Sequence, residues 1–132
     1  MTSAIYAVIS AFILIWLTFK VIKQRHNHKV ALGDGGHAEL QNARGAHENA
    51  VDTIPIFLLL LFVLEYNGGP LLLVHGLGLA FIAGRLIHAR GLLSADLKGR
   101  VLGMKLTLFP LIGVAVLNMF YLPYGKLFGI ES

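Results

Sequence analysis

The sequence predicts an all-α protein, an integral membrane antiparallel four-helix bundle. The chain has 132 residues, of which 56% are hydrophobic and only 14% charged, and its mean hydropathy is +0.72. Soluble domains carry about 25% charged residues, so this chain has too few charges to cover a water-exposed surface. Four apolar stretches can each supply the roughly 20 residues that a helix needs to cross a membrane. We therefore expect one membrane domain that spans residues 1–132.

The first predicted span covers residues 4–22. The stretch Ala4–Phe19 contains no charge, and Lys20 and Lys23 close it. A secretory signal peptide carries positive charge before its apolar run and a small-residue cleavage site after it. This stretch has neither feature, so we expect it to be retained as a helix.

The second predicted span covers residues 46–66. Its apolar core, Ile54–Leu64, is too short to cross a membrane alone and ends in a glycine-rich turn before Pro70. A membrane-length helix that ends at Tyr66 must therefore begin near His47.

The third and fourth predicted spans cover residues 70–89 and 101–121. Pro70 suits the first turn of a helix, and Tyr121 and Tyr124 can anchor the end of the fourth span at the membrane interface. Pro55 and Pro110 lie inside spans, where a kink is tolerated.

Basic residues between the spans predict the orientation. Lysine and arginine are concentrated in the segments 23–44 and 90–100, whereas the turn at 66–70 has none. Cytoplasmic loops of membrane proteins carry this excess, so we expect both termini on the non-cytoplasmic side. The same rule accounts for the net charge of +4, and we expect no nucleic-acid partner.

Three classes of site are excluded by residue type, spacing or context. The chain has no cysteine, which excludes disulfides, thiolate metal sites and a cysteine nucleophile. His26, His28 and His37 lack metal-ligand spacing, so we predict no metal site. The stretch Gly33–Gly36 lacks the context of a phosphate loop and predicts a surface turn.

Polar residues of three spans converge on the cytoplasmic end of the bundle. An ionised group at the centre of a membrane helix costs about 2.5–3.5 kcal/mol, so such groups turn inward or line a watery cavity. We predict a polar cavity open to the cytosol. The residues concerned are His47, Glu48, Asn49 and Asp52 in the second span, Arg85 and His88 in the third, and Arg100 and Lys105 in the fourth.

Simpler structural roles remain open for these residues. Arg85, Arg100 and Lys105 can extend to lipid headgroups, and Arg85 can form an interhelix ion pair with Asp52 or Glu48. The cations of the cluster, with Arg44 and Lys23 nearby, outnumber its acids, so the cavity favours an anionic small molecule. Arginine suits carboxylates because it offers a planar pair of donors.

Small residues predict close helix packing in the third span. Gly76, Ala80 and Gly84 repeat at every fourth position along one helix face. The contact that they make is either within the chain or between subunits.

Three segments together resemble the MAPEG superfamily, the membrane-associated proteins in eicosanoid and glutathione metabolism. The first is Arg44…His47-x-Asn49-x-x-Asp52-x-x-Pro55, the second Gly84-Arg85-Leu86-Ile87-His88-Ala89, and the third Arg100-x-x-Gly103. The glycine-rich loop at 33–36 and the stretch 47–56 are most similar to an uncharacterised bacterial inner-membrane branch. The resemblance covers essentially the whole chain.

The resemblance implies a homotrimer that binds glutathione as co-substrate between neighbouring subunits, near the cytoplasmic side. Asn49 and Asp52 match the positions that hold the glutathione peptide, and Arg100 matches the catalytic arginine that activates the thiol. Lys23 or Arg25 matches a basic contact at the end of the first helix. The remaining candidate binding residues are Arg44, His47, Glu48, Arg85, His88 and Lys105.

Four departures from the family pattern bear on catalysis. Asp52 is one methylene shorter than the usual glutamate, and the third span has no tyrosine after His88. Arg44 lies five residues before Asn49, which is about 140° from the same helix face, because Gly45 occupies the usual arginine position. Val101 and Met104 stand near Arg100, where glutathione-using members often have a hydroxyl or a tyrosine.

The leading prediction is a glutathione-dependent transferase or peroxidase that acts on lipophilic electrophiles from the membrane. The alternative is a non-catalytic binding or scaffold protein for an anionic lipid or metabolite. A small drug-efflux transporter is disfavoured because Ala4–Phe19 contains no acidic residue. Membrane lipid and a lipophilic small-molecule substrate are the expected partners, and the bacterial inner membrane is the expected location.

Overall fold

The computed structural model describes residues 1–130 and contains helices but no strand within that range. Four helices are long and apolar enough to cross a membrane, which confirms the all-α prediction with four spans. The helices are α1 (Ser3–His28), α2 (Ala38–Tyr66), α3 (Leu71–Leu93), α4 (Leu97–Tyr121) and the short α5 (Tyr124–Leu127).

The four long helices form a bundle in which consecutive helices run antiparallel. Ser3 at the start of α1 lies against Glu65 near the end of α2. Gly91 near the end of α3 lies against Arg100 near the start of α4. In the described residues α2 contacts α1, α3 and α4, whereas α1 and α4 do not touch.

The helices extend beyond the spans predicted from membrane thickness. The first continues past residue 22 to His28, and the second begins at Ala38 rather than near residue 46. The added turns are polar, so they stay helical outside the apolar layer that the span prediction measures. Lys29 ends α1 in the left-handed conformation (φ 55°).

Glycines bring the backbones of α3 and α4 into direct contact. A Cβ added to Gly103 would lie 2.2 Å from the backbone nitrogen of His88, and one added to Gly84 would lie 2.6 Å from the carbonyl carbon of Leu106. Gly84 therefore makes its close contact within the chain. By contrast, a Cβ at Gly76 meets nothing within 4 Å.

The bundle end opposite the loop between α1 and α2 is closed by the carboxylate of Glu65. It accepts hydrogen bonds from the backbone nitrogens of Thr2 (2.7 Å) and Ser3 (2.9 Å) and from the Ser3 hydroxyl (2.7 Å). These donors belong to the first turn of α1, whose N–H groups have no partner within the helix. Glu65 thus caps α1 from the end of α2.

Two further polar pairs at this end also join neighbouring helices. The Tyr6 hydroxyl lies 2.7 Å from Nδ1 of His75, and Nδ2 of Asn118 donates to the carbonyl of Leu60 at 2.9 Å. The polar residues of this half of the bundle therefore hold helices together.

Candidate functional site

A cavity of about 490 Å³ lies where α2, α3 and α4 meet, towards the start of α4. Four of the predicted site residues come together here, on three different helices. The lining residues are Asn49 of α2, His88 of α3, and Arg100, Val101, Met104, Lys105 and Leu108 of α4.

The side chain of Arg85 lies behind the cavity lining, between the same helices. Its Nη1 donates to Oδ1 of Asn49 at 2.6 Å. Its Nε and Nη2 both donate to Oγ1 of Thr107, at 3.0 and 2.8 Å. Nη2 also lies 3.9 Å from the sulfur of Met104. Close packing of α3 on α4 makes this contact possible because glycine at 103 leaves no side chain between them.

Arg85 is a buried cation whose hydrogen-bond partners in the described chain are all neutral. Only 2% of the surface of Arg85 is exposed. The ion pair considered for Arg85 with Asp52 or Glu48 does not form, because Glu48 instead faces Arg44, with 3.6 Å between Oε1 and Nη2. Asp52 is exposed. Buried charges in proteins are normally paired with an opposite charge. Arg85 has no acidic partner within residues 1–130, so its positive charge remains uncompensated beside the cavity.

Asn49 and His88 have unused hydrogen-bonding capacity at the cavity wall. Because Oδ1 of Asn49 accepts from Arg85, its Nδ2 is left as a donor, and it makes no hydrogen bond within residues 1–130. His88 is 4% exposed, and its Nδ1 has no partner in the same part of the chain. Both residues line the cavity, Asn49 with a spare donor and His88 with a ring nitrogen that is itself buried.

The mouth of the cavity combines two cations with an apolar wall. Arg100 and Lys105 are exposed, and neither makes an ion pair within residues 1–130. Val101, Met104 and Leu108 supply the apolar surface beside them. No acidic residue lines this cavity in the described chain, so its electrostatic character is that of an anion site.

Besides Arg85, six predicted binding residues lie outside this cavity in the single chain. Arg25 instead holds the loop after α1, because its Nη1 donates to the carbonyl of Gly33 at 2.8 Å. His47 joins α2 to α1, with its Nε2 3.2 Å from the Thr18 hydroxyl. The six residues are Lys23, Arg25, Arg44, His47, Glu48 and Asp52.

The sequence analysis did not identify Thr107 as part of the site. Thr107 is fully buried, accepts both Arg85 hydrogen bonds and donates to the carbonyl of Gly103 at 2.8 Å. It follows Arg100 by seven residues, which is two helical turns and so nearly the same face. The sequence could have indicated Thr107 by one signal. It is a hydroxyl side chain within an apolar run, seven residues from the candidate residue Arg100.

Comparison with known proteins identifies a family over most of the chain. The profile of the MAPEG family matches residues 3–120, which include nearly all of the four long helices.

The chain belongs to the MAPEG family.

Its similarity to relatives extends over the full length. It is 39% identical over 131 residues to the inner membrane protein YecN of Escherichia coli K12, which covers 99% of this chain and 100% of the relative. The same identity and coverage hold for YecN of Escherichia coli O6:H1. Membership of the MAPEG family confirms the resemblance drawn from the residues around Asn49, Arg85 and Arg100.

Proposed function

We propose that this MAPEG protein is a glutathione-dependent membrane enzyme of the transferase or peroxidase type, acting on lipophilic electrophiles. Family membership favours a glutathione-related function. The chemistry of the cavity supports the same conclusion independently.

The observation that carries the proposal is the unpaired guanidinium of Arg85. A buried cation with neutral partners keeps the neighbouring cavity electropositive, which favours an anionic ligand there. Arg100 and Lys105 add positive charge at the mouth, and Asn49 and His88 offer polar groups in the wall. Glutathione presents two carboxylates and two amides, which are the groups that such a site would bind.

Arg100 is the proposed catalytic residue, and its role would be to stabilise the glutathione thiolate. A free thiol has a pKa near 8.5, and an adjacent arginine or lysine lowers it. The thiolate would attack the electrophilic carbon of a substrate and displace its leaving group. With a hydroperoxide, two glutathione molecules would give the disulfide, an alcohol and water. Proximity at the boundary between water and lipid would supply much of the rate.

The apolar wall of the cavity favours an electrophile that arrives from the bilayer. Val101, Met104 and Leu108 border the polar groups, so one side of the cavity suits a lipophilic partner. We also propose a homotrimer, in which a neighbouring subunit would cover the open side and could bring Asp52 or Lys23 of another copy to the ligand.

The proposed location is the bacterial inner membrane, by similarity to the Escherichia coli relatives. The basic segments at 23–44 and 90–100 favour a cytoplasmic position for the cavity and a non-cytoplasmic position for both termini. Cytosolic glutathione would then have direct access.

A non-catalytic binding role is the second candidate. It is favoured because the hydroxyl nearest Arg85 is already fully hydrogen-bonded. Thr107 uses its hydroxyl entirely for Arg85 and Gly103, so it cannot assist a thiol. The cavity would in that case hold an anionic lipid or metabolite without reaction.

Titration of glutathione into the detergent-solubilised protein tests both candidates. We expect saturable heat in calorimetry together with the ultraviolet absorbance of a thiolate. The matched ligand is a glutathione analogue with a methyl group in place of the thiol, which should bind without that absorbance. Binding without a thiolate signal would support the second candidate, and the absence of binding at millimolar glutathione would contradict the enzyme proposal.

A further inference from the structure

A second basic cluster lies outside the candidate site, at the end of α1. Lys23, His26 and Lys29 are all exposed, and none makes an ion pair within residues 1–130. The nearby acidic residue Glu39 instead faces His28, 3.4 Å away. The cluster therefore presents positive charge that the described chain does not neutralise.

Lys23 and His26 continue a regular apolar stripe along α1, and Lys29 follows directly after the helix end. Successive members are three or four residues apart, which places them on one helix face. All are exposed, and none contacts α4 of the same chain. The stripe consists of Ile5, Val8, Phe12, Ile15, Phe19 and Ile22.

A groove adjoins the basic end of this stripe. It has a volume of about 480 Å³ and is lined by Arg25, His26, Lys29, Val30 and Ala31. Hydrogen bonds from Arg25 to the carbonyls of Val30 and Gly33 hold its wall in place. The groove thus combines cations with small apolar side chains at the level where the apolar stripe ends.

We propose that this face of α1 binds an anionic phospholipid of the surrounding membrane. The acyl chains would lie along the stripe between Phe12 and Ile22, and the phosphate would lie among Lys23, His26 and Lys29. Charge complementarity decides the headgroup, because basic clusters next to a membrane helix attract anionic lipids. The apolar stripe favours a lipid over free phosphate, since phosphate has nothing to place on it. The inference shares only Lys23 with the proposed trimeric glutathione site, and its test measures lipid binding rather than glutathione binding or turnover.

The position of Trp16 provides a direct test. It is the single tryptophan of the chain, it is partly exposed on α1, and it precedes Lys23 by two helical turns, about 10 Å. A lipid with brominated acyl chains bound at the proposed site would quench its fluorescence. The protein is reconstituted in phosphatidylcholine vesicles that contain an equal mole fraction of dibrominated phosphatidylglycerol or dibrominated phosphatidylcholine.

We expect brominated phosphatidylglycerol to quench Trp16 more strongly than brominated phosphatidylcholine. The apparent binding constant of phosphatidylglycerol should be about fivefold higher. The double variant Lys23→Gln with Lys29→Gln should bring the ratio to near one. The control Lys98→Gln with Lys126→Gln removes the same charge elsewhere and should leave the preference unchanged.

Four results would overturn the proposal. The first is equal quenching by both lipids in the native protein. The second is a preference that survives loss of Lys23 and Lys29 or disappears in the control variant. Quenching by neither lipid would mean that another copy or segment covers α1. Suppression of the preference by inorganic phosphate, but not by sodium chloride of the same ionic strength, would indicate a phosphate site.

Discussion

The guanidinium of Arg85 and the hydroxyl of Thr107 are joined by two hydrogen bonds, of 3.0 and 2.8 Å, in the buried layer between α3 and α4. The single oxygen of Thr107 accepts both donors while its own proton goes to the carbonyl of Gly103. This arrangement fixes the plane of the guanidinium. Within residues 1–130 no acidic side chain compensates this positive charge beside the cavity.

Replacement of Thr107 by valine should destabilise the protein by about 1–3 kcal/mol, because two buried Arg85 donors lose their acceptor. The midpoint of thermal unfolding in detergent, followed by circular dichroism, measures the loss. Thr107→Ser keeps the hydroxyl and should cost only about the 0.8 kcal/mol of one buried methyl group. Equal losses in the two variants would show that the hydroxyl contributes nothing.

Replacement of Arg100 by alanine should abolish glutathione-transfer turnover and leave the unfolding midpoint unchanged. Arg100 is exposed and makes no side-chain hydrogen bond within residues 1–130, so the fold does not depend on it. Turnover is measured with a chromogenic electrophile. Arg90→Ala removes another exposed arginine, outside the cavity, and should keep native activity. Native turnover in the Arg100 variant would remove the proposed mechanism.

Replacement of Gly103 by alanine should separate α3 from α4. The new Cβ would lie 2.2 Å from the His88 backbone nitrogen, and overpacking typically costs about 1–3 kcal/mol. We expect a lower unfolding midpoint and weaker glutathione binding. Gly76→Ala is the matched control, because its Cβ meets nothing and alanine favours helix by about 0.5–1 kcal/mol. A Gly103 variant as stable as this control would contradict the close contact.

Replacement of Glu65 by alanine should cost about 1–2 kcal/mol, the range for loss of a helix cap. Thermal unfolding measures this loss, and glutathione binding should persist because Glu65 lies at the other end of the bundle. Glu48→Ala removes an exposed acid that pairs only with Arg44, and such pairs contribute at most about 1 kcal/mol. If Glu65→Ala is no more destabilising than Glu48→Ala, the cap has no energetic role.

The membrane orientation can be measured with single cysteines, because the chain contains none. Leu32 is 87% exposed in the loop after α1, and Ile130 is 80% exposed near the other end. In spheroplasts, an impermeant maleimide should label Ile130→Cys directly and Leu32→Cys only after permeabilisation. The reverse pattern would place the cavity on the non-cytoplasmic side.

Hydropathy predicted the helical class and the four spans because an apolar run of membrane length has few other outcomes. The same arithmetic could not predict that α2 begins at Ala38. Membrane thickness limits the apolar segment, whereas a polar helix can continue in water. The positions of the helix ends could therefore be determined only from the structure.

The gathering of Asn49, His88, Arg100 and Lys105 followed from their shared depth in the membrane. The hydrogen-bond partners of Arg85 could not be predicted from the sequence, because they depend on the rotation of α2 about its axis. Asn49 and Asp52 differ by only about 60° around the helix, and the structure turns the amide inward and leaves the carboxylate exposed. A sequence alone does not specify such a rotation.

The tie between Glu65 and Ser3 makes the two rims of the bundle unequal. At that rim the carboxylate satisfies the first N–H groups of α1. At the other rim Nδ2 of Asn49 and Nδ1 of His88 have no partner within residues 1–130. One rim is thus capped by a carboxylate of the bundle, and the other borders the cavity at Asn49 and His88. This difference between the two ends is built into the helices, and it would confine a bound ligand to a single leaflet of the membrane.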